Sequence, residues 1–170
     1  MPFALLPVIR IQTITQLRPE DLTSRGIGLL MLDFDNTIVP YTRDEPTEEM
    51  LKWLQNMQRS PVKLCIVSNS KRPRVQVFCK RYGLDCITHA GKPGRKGICK
   101  CMETYGFSPE HSALAGDQIY TDTLGGNLAG VTSILVDAIH NHTIWLKLRH
   151  IAELPFRCAA EKRRIHYEKS

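Results

Sequence analysis

Five β-type segments of this chain, several of them apolar throughout, alternate with patterns of helical spacing. They are residues 27–33 (IGLLMLD), 62–67 (VKLCIV), 85–89 (DCITH), 112–116 (SALAG) and 133–137 (SILVD). A strand with one wet face alternates apolar and polar residues, so strands without alternation belong to a sheet covered on both sides. Thr47 is placed to cap a helix carrying Met50, Leu51, Leu54 and Met57 and ending before Pro61. A second helix is expected over about 72–82, with Val75 and Phe78 inward and Gly83 as its stop. A third covers about 95–105, with Ile98, Met102 and Tyr105 inward and Gly106 as its stop, and a fourth covers about 123–129 before Gly130. Strands separated by helices of this length imply right-handed crossovers, and hence an α/β, three-layer fold around a mostly parallel sheet.

At 170 residues the chain fits one domain. Its core is expected over about 27–138, after a preface with a short helix near 19–24 and before a basic extension over about 143–170. Hydrophobic content of 42% and charged content of 24% are ordinary for a soluble globular protein. No run approaches the ~18 apolar residues of a transmembrane helix, and MPFALLPVI at the start lacks the basic n-region of a secretory leader. The six cysteines therefore read as small apolar residues in a reducing compartment, and a cytoplasmic location is expected. The CKC at 99–101 lacks zinc-site spacing. Net charge is +6, and residues 143–170 hold seven Lys/Arg against three Glu. Such a tail either is simply solvated or makes a peripheral contact with an anionic membrane surface, and no specific nucleic-acid partner is expected. Within it, TIWLKLRHIAEL (143–154) has helical amphipathic spacing, with Ile144, Leu148 and Ile151 on one face.

In an open parallel sheet, ligands bind outside the carboxyl ends of the strands. Asp33 and Asp35 follow the first strand, Ser68-Asn69-Ser70 the second, Lys92 in AGKPGRKG the third, and Asp117 with Asp122 the fourth. Four polar clusters in phase with four strand ends converge on one rim. In a strand, Asp33 and Asp35 would share a face, so either the chain turns there or a cation lies between them. Asp33 and Asp117 make a hard-oxygen site suited to Mg²⁺, which commonly uses one or two carboxylates together with a phosphate. Lys92 can neutralise a phosphoryl oxygen, while the Ser68 hydroxyl and loop N–H groups bond the others. Asp33 can then attack phosphorus, and Asp35 can serve as acid and then base.

These clusters resemble the four motifs of the haloacid dehalogenase (HAD) superfamily of phosphatases. Asp33-Phe-Asp35-Asn-Thr37 is similar to the first motif, Ser68 to the second, Lys92 before Pro93 to the third, and Gly116-Asp117-Gln-Ile-Tyr-Thr-Asp122 to the fourth. The resemblance implies a Rossmann-like (HAD-like) fold, a phosphorylated substrate and Mg²⁺ as cofactor. It makes Asp33 the nucleophile that forms an aspartyl-phosphate, Asp35 the acid/base, Asp117 a metal ligand and Asp122 a supporting acid near the metal, with the Asp35 backbone carbonyl also on the metal. LRPEDLTSRGI, AGKPGRKG and GDQIYTDTLGGNLAGVTSILV carry a narrower resemblance, to the YqeG-type branch of subclass IIIA. That branch also includes mitochondrial phosphatidylglycerophosphate phosphatases. SNSKRPRV departs from the pattern, which has an asparagine at Ser70, and this bears on the substrate contacts expected of Asn69 and Arg74.

Asp35 argues against a dehalogenase, and the lack of apolar spans argues against a P-type pump. Only about nine residues, 38–46, are left for a flap, so the cap is minimal or missing and bulky substrates can enter. His140 and His142 read as loop residues, Trp53 and Trp145 as packing or interface residues, and Gly125-Gly126 as a close backbone approach to the fourth motif. The reading is a Mg²⁺-dependent phosphomonoester hydrolase, acting on phosphatidylglycerophosphate or another bulky phosphate at a membrane surface. A phosphatase for a soluble nucleotide, sugar or protein phosphate and a non-catalytic polyanion-binding module are the alternatives. Because all four motifs lie before residue 123, removal of residues 157–170 is expected to spare hydrolysis.

Overall fold

The computed structural model describes residues 5–139 and 153–161. Six strands form one sheet: β1 (Ile9–Arg10), β2 (Leu29–Leu32), β3 (Lys63–Val67), β4 (Asp85–Ile87), β5 (Ser112–Gly116) and β6 (Thr132–Leu135). Their order is β1-β6-β5-β2-β3-β4, and every neighbouring pair is parallel. The helices are α1 (Pro19–Thr23), α2 (Glu48–Arg59), α3 (Arg74–Tyr82), α4 (Lys96–Tyr105) and α5 (Leu124–Ala129). A further helix, α6, covers 153–160.

The expectation of two covered faces is met side chain by side chain. In β2, Leu30 and Leu32 pack with Met50, Trp53, Leu54, Met57, Val75 and Phe78, while Leu29 and Met31 pack on the opposite face with Ile98, Cys101 and Met102. In β3, Leu64 and Ile66 join the first layer and Cys65 and Val67 the second. A central strand buried on both faces explains why its sequence does not alternate.

The helix signals act as their chemistry requires. Thr47 Oγ1 accepts from the Met50 N–H at 3.2 Å to cap α2. Gly83 and Gly106 end α3 and α4 in the left-handed conformation. Trp53 is a packing residue whose Nε1 donates to the Leu17 carbonyl at 2.7 Å. The preface supplies more than a lead-in. Ile9, Ile11, Ile14, Leu17 and Leu22 are buried in the first layer, and β1 extends the sheet beside β6. The expected amphipathic helix over 143–154, with Trp145 and the histidines 140 and 142, lies almost entirely outside the described residues.

Candidate active site

β2 sits between β5 and β3, and all three release their chains on the same edge. The pairing with β5 continues one residue beyond the strand, because the Asp33 N–H donates to the Ala115 carbonyl at 2.8 Å. The chain then turns. Asn36 takes a left-handed conformation, its N–H donates to Val39 O at 2.7 Å, and its Oδ1 accepts from the Tyr41 N–H at 3.2 Å. The turn separates the two acids that an extended strand would place on one face. Asp33 is buried, whereas Asp35 is half-buried and bonded to Arg74 at 2.9 Å.

After β3, the buried Ser68 accepts from the Ser70 N–H through Oγ at 3.1 Å, which leaves its own O–H to donate elsewhere. Asn69 clasps the backbone of Lys92 in both directions. Its Nδ2 donates to Lys92 O at 2.8 Å, and its Oδ1 accepts from Lys92 N at 2.7 Å. The clasp holds a buried ammonium, with Lys92 Nζ 2.7 Å from Asp33 Oδ1 and 2.6 Å from Asp122 Oδ1.

Asp117 leaves the end of β5, and Asp122 returns to it from a π-helical turn, Ile119–Thr123. Asp122 Oδ2 accepts from the Gln118 N–H at 3.1 Å and lies over Gly116, where an added Cβ would come within 2.3 Å of the carboxylate. Only glycine leaves room for that acid.

Asp33, Asp117 and Asp122 each offer an oxygen within 4.8 Å of the others, and all three are buried. Burial pushes the Asp33 carboxyl up to about 7 against the opposing pull of Lys92, with Asp122 adding to the rise. Burial and then repulsion from Asp33 and Asp122 hold Asp117 well above the usual carboxylate range. The two acids raise Lys92 against its own burial. Burial also raises Asp35, opposed first by Arg74. Asp117 Oδ1 is buried with no hydrogen-bond donor in reach. Clustered hard oxygens, one of them unsatisfied, and an excess of buried negative charge fit a divalent cation such as Mg²⁺.

The structure thus brings Asp33, Lys92, Asp117 and Asp122 into contact or near contact and sets Asp35 beside them. Asn69 and Arg74, the expected substrate contacts, carry hydrogen bonds within the protein. Asn69 is used on Lys92, while Arg74 is used on Asp35 and on the carbonyls of Pro40, Tyr41 and Arg43. Between Asn36 and α2, among the described residues, the flap is a loop whose residues 41–45 are exposed.

Sequence reasoning missed Glu153 and Arg157. Both are buried, and they reach the Asp117 loop: Glu153 Oε1 accepts from the Ile119 N–H at 3.0 Å, and Arg157 donates to the Asp117 carbonyl. Removing residues 157–170, which was expected to spare hydrolysis, would take away Arg157 and its bond to the Asp117 carbonyl. The only local signal was the i,i+4 spacing of the pair, which is equally that of a solvated helix face.

A model of the haloacid dehalogenase-like hydrolases matches residues 5–130. The chain belongs to that family. It is 34% identical over 131 residues, 77% of this chain and 76% of the relative, to the "Probable phosphatase YqeG" of Bacillus subtilis. Among solved structures, the cobalt-bound deoxy-D-mannose-octulosonate 8-phosphate phosphatase of Haemophilus influenzae superposes with a TM-score of 0.56. That match has 12% identity and covers 82% of this chain and 92% of the other, which shows a shared HAD fold.

Proposed function

We propose that this HAD-family hydrolase is a Mg²⁺-dependent phosphomonoesterase working through an aspartyl-phosphate on Asp33. The observation that carries the reading is the buried cluster of Asp33, Asp117 and Asp122 around Lys92, with Asp35 next to it. Asp33, Asp117 and the Asp35 backbone carbonyl would hold the cation, with Asp122 supporting them. When bound, the cation neutralises charge on the acids and on the phosphoryl oxygens.

An Asp33 oxygen attacks phosphorus, and the bond from phosphorus to the leaving oxygen breaks as Asp35 delivers a proton to that oxygen. Water then attacks the phosphorus of the aspartyl-phosphate, Asp35 takes its proton, and inorganic phosphate leaves with the Asp33 carboxylate restored. Lys92 and the Ser68 hydroxyl would offset charge on the remaining phosphoryl oxygens. The elevated Asp35 pKa suits an acid that must later act as a base.

The short flap admits a bulky leaving group, and the basic tail supports peripheral contact with an anionic membrane from a cytoplasmic location. Phosphatidylglycerophosphate in vesicles is therefore the probe for a substrate presented at a surface. Soluble nucleotide, sugar and protein phosphates are the comparison set. Phosphate release from both sets, measured with Mg²⁺ and with excess chelator, tests the reading. Release that depends on Mg²⁺ is expected, and undiminished release in chelator would overturn it.

A further inference from the structure

We infer that α6 belongs to the catalytic apparatus. Glu153 and Arg157 are positioning residues that fix the backbone around Asp117 and so set the affinity of the acid cluster for Mg²⁺. The inference rests on the phosphatase reading and adds residues to it that lie outside the four motifs.

The Asp117 loop leaves β5 without sheet partners for two of its backbone groups, the Asp117 carbonyl and the Ile119 N–H. One helix supplies both, since Arg157 Nη2 donates to the carbonyl and Glu153 Oε1 accepts from the N–H at 3.0 Å. The two side chains also bond each other, with Arg157 Nε and Nη2 lying 3.3 Å and 3.2 Å from Glu153 Oε2. Glu153 is 2% exposed and Arg157 5%. The desolvation of a buried ion pair is offset only where the ions make further bonds, and here Arg157 Nη2 and Glu153 Oε1 make them to the Asp117 carbonyl and the Ile119 N–H.

The clamp is itself anchored. Arg157 Nη1 lies 3.5 Å from Asp137 Oδ1, and Arg10 bonds Asp137 at 3.3 Å, the Arg157 carbonyl at 2.9 Å, and Glu161. Ala160 is fully buried with Ile119 and Leu135, and Phe156 meets the Tyr120 ring edge-on at 6.3 Å. The helix thus grips residues 117–120 through charge, backbone and packing. Displacing the Asp117 backbone would move its carboxylate relative to Asp33 and Asp122. Partners that orient a metal ligand are typically worth about 10–100-fold in metal affinity.

The test uses the full chain with Arg157→Met and Arg157→Lys, titrating Mg²⁺ by calorimetry and by the Mg²⁺-induced rise in melting temperature. Neither readout needs turnover. Arg157→Met should weaken Mg²⁺ binding about tenfold or more, and Arg157→Lys, which keeps the charge but not the fork, should recover part of it. If Arg157→Met does not fold, Arg157→Lys alone is read in the same way. A folded variant that melts lower yet binds Mg²⁺ with wild-type affinity overturns the inference and leaves the phosphatase reading standing. A wild type that neither binds Mg²⁺ nor hydrolyses a small phosphomonoester overturns both.

Discussion

Arg74 Nη1 donates to Asp35 Oδ1 at 2.9 Å, and the same guanidinium ties down the flap. It bonds the Tyr41 carbonyl at 2.8 Å, the Pro40 carbonyl at 3.2 Å and the Arg43 carbonyl, and its Nε forms an ion pair with Asp44 Oδ1 at 2.9 Å. One cation therefore holds both Asp35, the proposed acid/base, and the flap loop. Arg74 pulls the Asp35 pKa down against burial, so Arg74→Gln should let it rise. If ionised Asp35 activates water as proposed, the acid-side limb of the kcat profile should move to higher pH, so that the variant loses more rate at low pH than at high pH. A loss of rate equal at every pH would mean that Arg74 only holds the loop.

Asp33→Asn should lower the rate by ~10³-fold or more while leaving the fold intact. The same variant removes a buried acid from a cluster whose carboxylates repel one another, and Lys92 keeps its ion pair to Asp122 at 2.6 Å. In chelator it should therefore melt above the wild type, by on the order of 1 kcal/mol in stability. Turnover near wild type in folded Asp33→Asn would remove Asp33 as the nucleophile.

The acid cluster also sets how stability depends on pH without Mg²⁺. Asp33 has an ordinary pKa of 3.8 and is raised to about 7 in the fold, chiefly by burial. Between those values the folded state holds a proton that the unfolded state has released. This stabilisation is full below about pH 4 and is lost as pH rises through 7. Asp117, raised in the same direction, adds to the trend. Melting temperature in chelator should thus contain a component that falls from pH 5 to pH 7. Saturating Mg²⁺, which favours the ionised carboxylates, should flatten or reverse it. The same pH slope with and without Mg²⁺ would show that the cluster does not govern it.

The layers of the fold were legible because burial on both faces of β2 and β3 leaves a composition that a one-sided strand cannot have. The site residues were legible because polar clusters at parallel strand ends must share a rim. β1 was not, since Ile9–Arg10 is too short for a period to register, and its pairing with β6 is set across 125 positions of chain. Nor could the sequence distinguish a substrate-facing amide at Asn69 from one turned onto Lys92, because that depends on where the loop after β4 passes. Arg157 shows the same limit more strongly. A Glu and an Arg four apart look alike whether they face water or the Asp117 carbonyl, and only the docking of Phe156 and Ala160 decides.

The tail can now be divided at Glu161. Residues 162–170 contain Lys162, Arg163, Arg164 and Lys169 against Glu168, a surplus of three positive charges, while Arg157 and Glu153 are buried against each other. Each cation near an anionic bilayer contributes about 1 kcal/mol, so this segment can supply roughly 3 kcal/mol of salt-sensitive attraction. The full chain should sediment with anionic vesicles at low salt and be released as salt is raised. A chain ending at Glu161 should bind vesicles more weakly yet hydrolyse a small soluble phosphate as the full chain does, because α6 and its clamp remain. A chain ending at Phe156 should in addition need a higher Mg²⁺ concentration for hydrolysis, since it lacks Arg157 as well. If the full chain ignores anionic vesicles even at low ionic strength, a membrane-presented substrate has no support from the tail and a soluble phosphate takes its place.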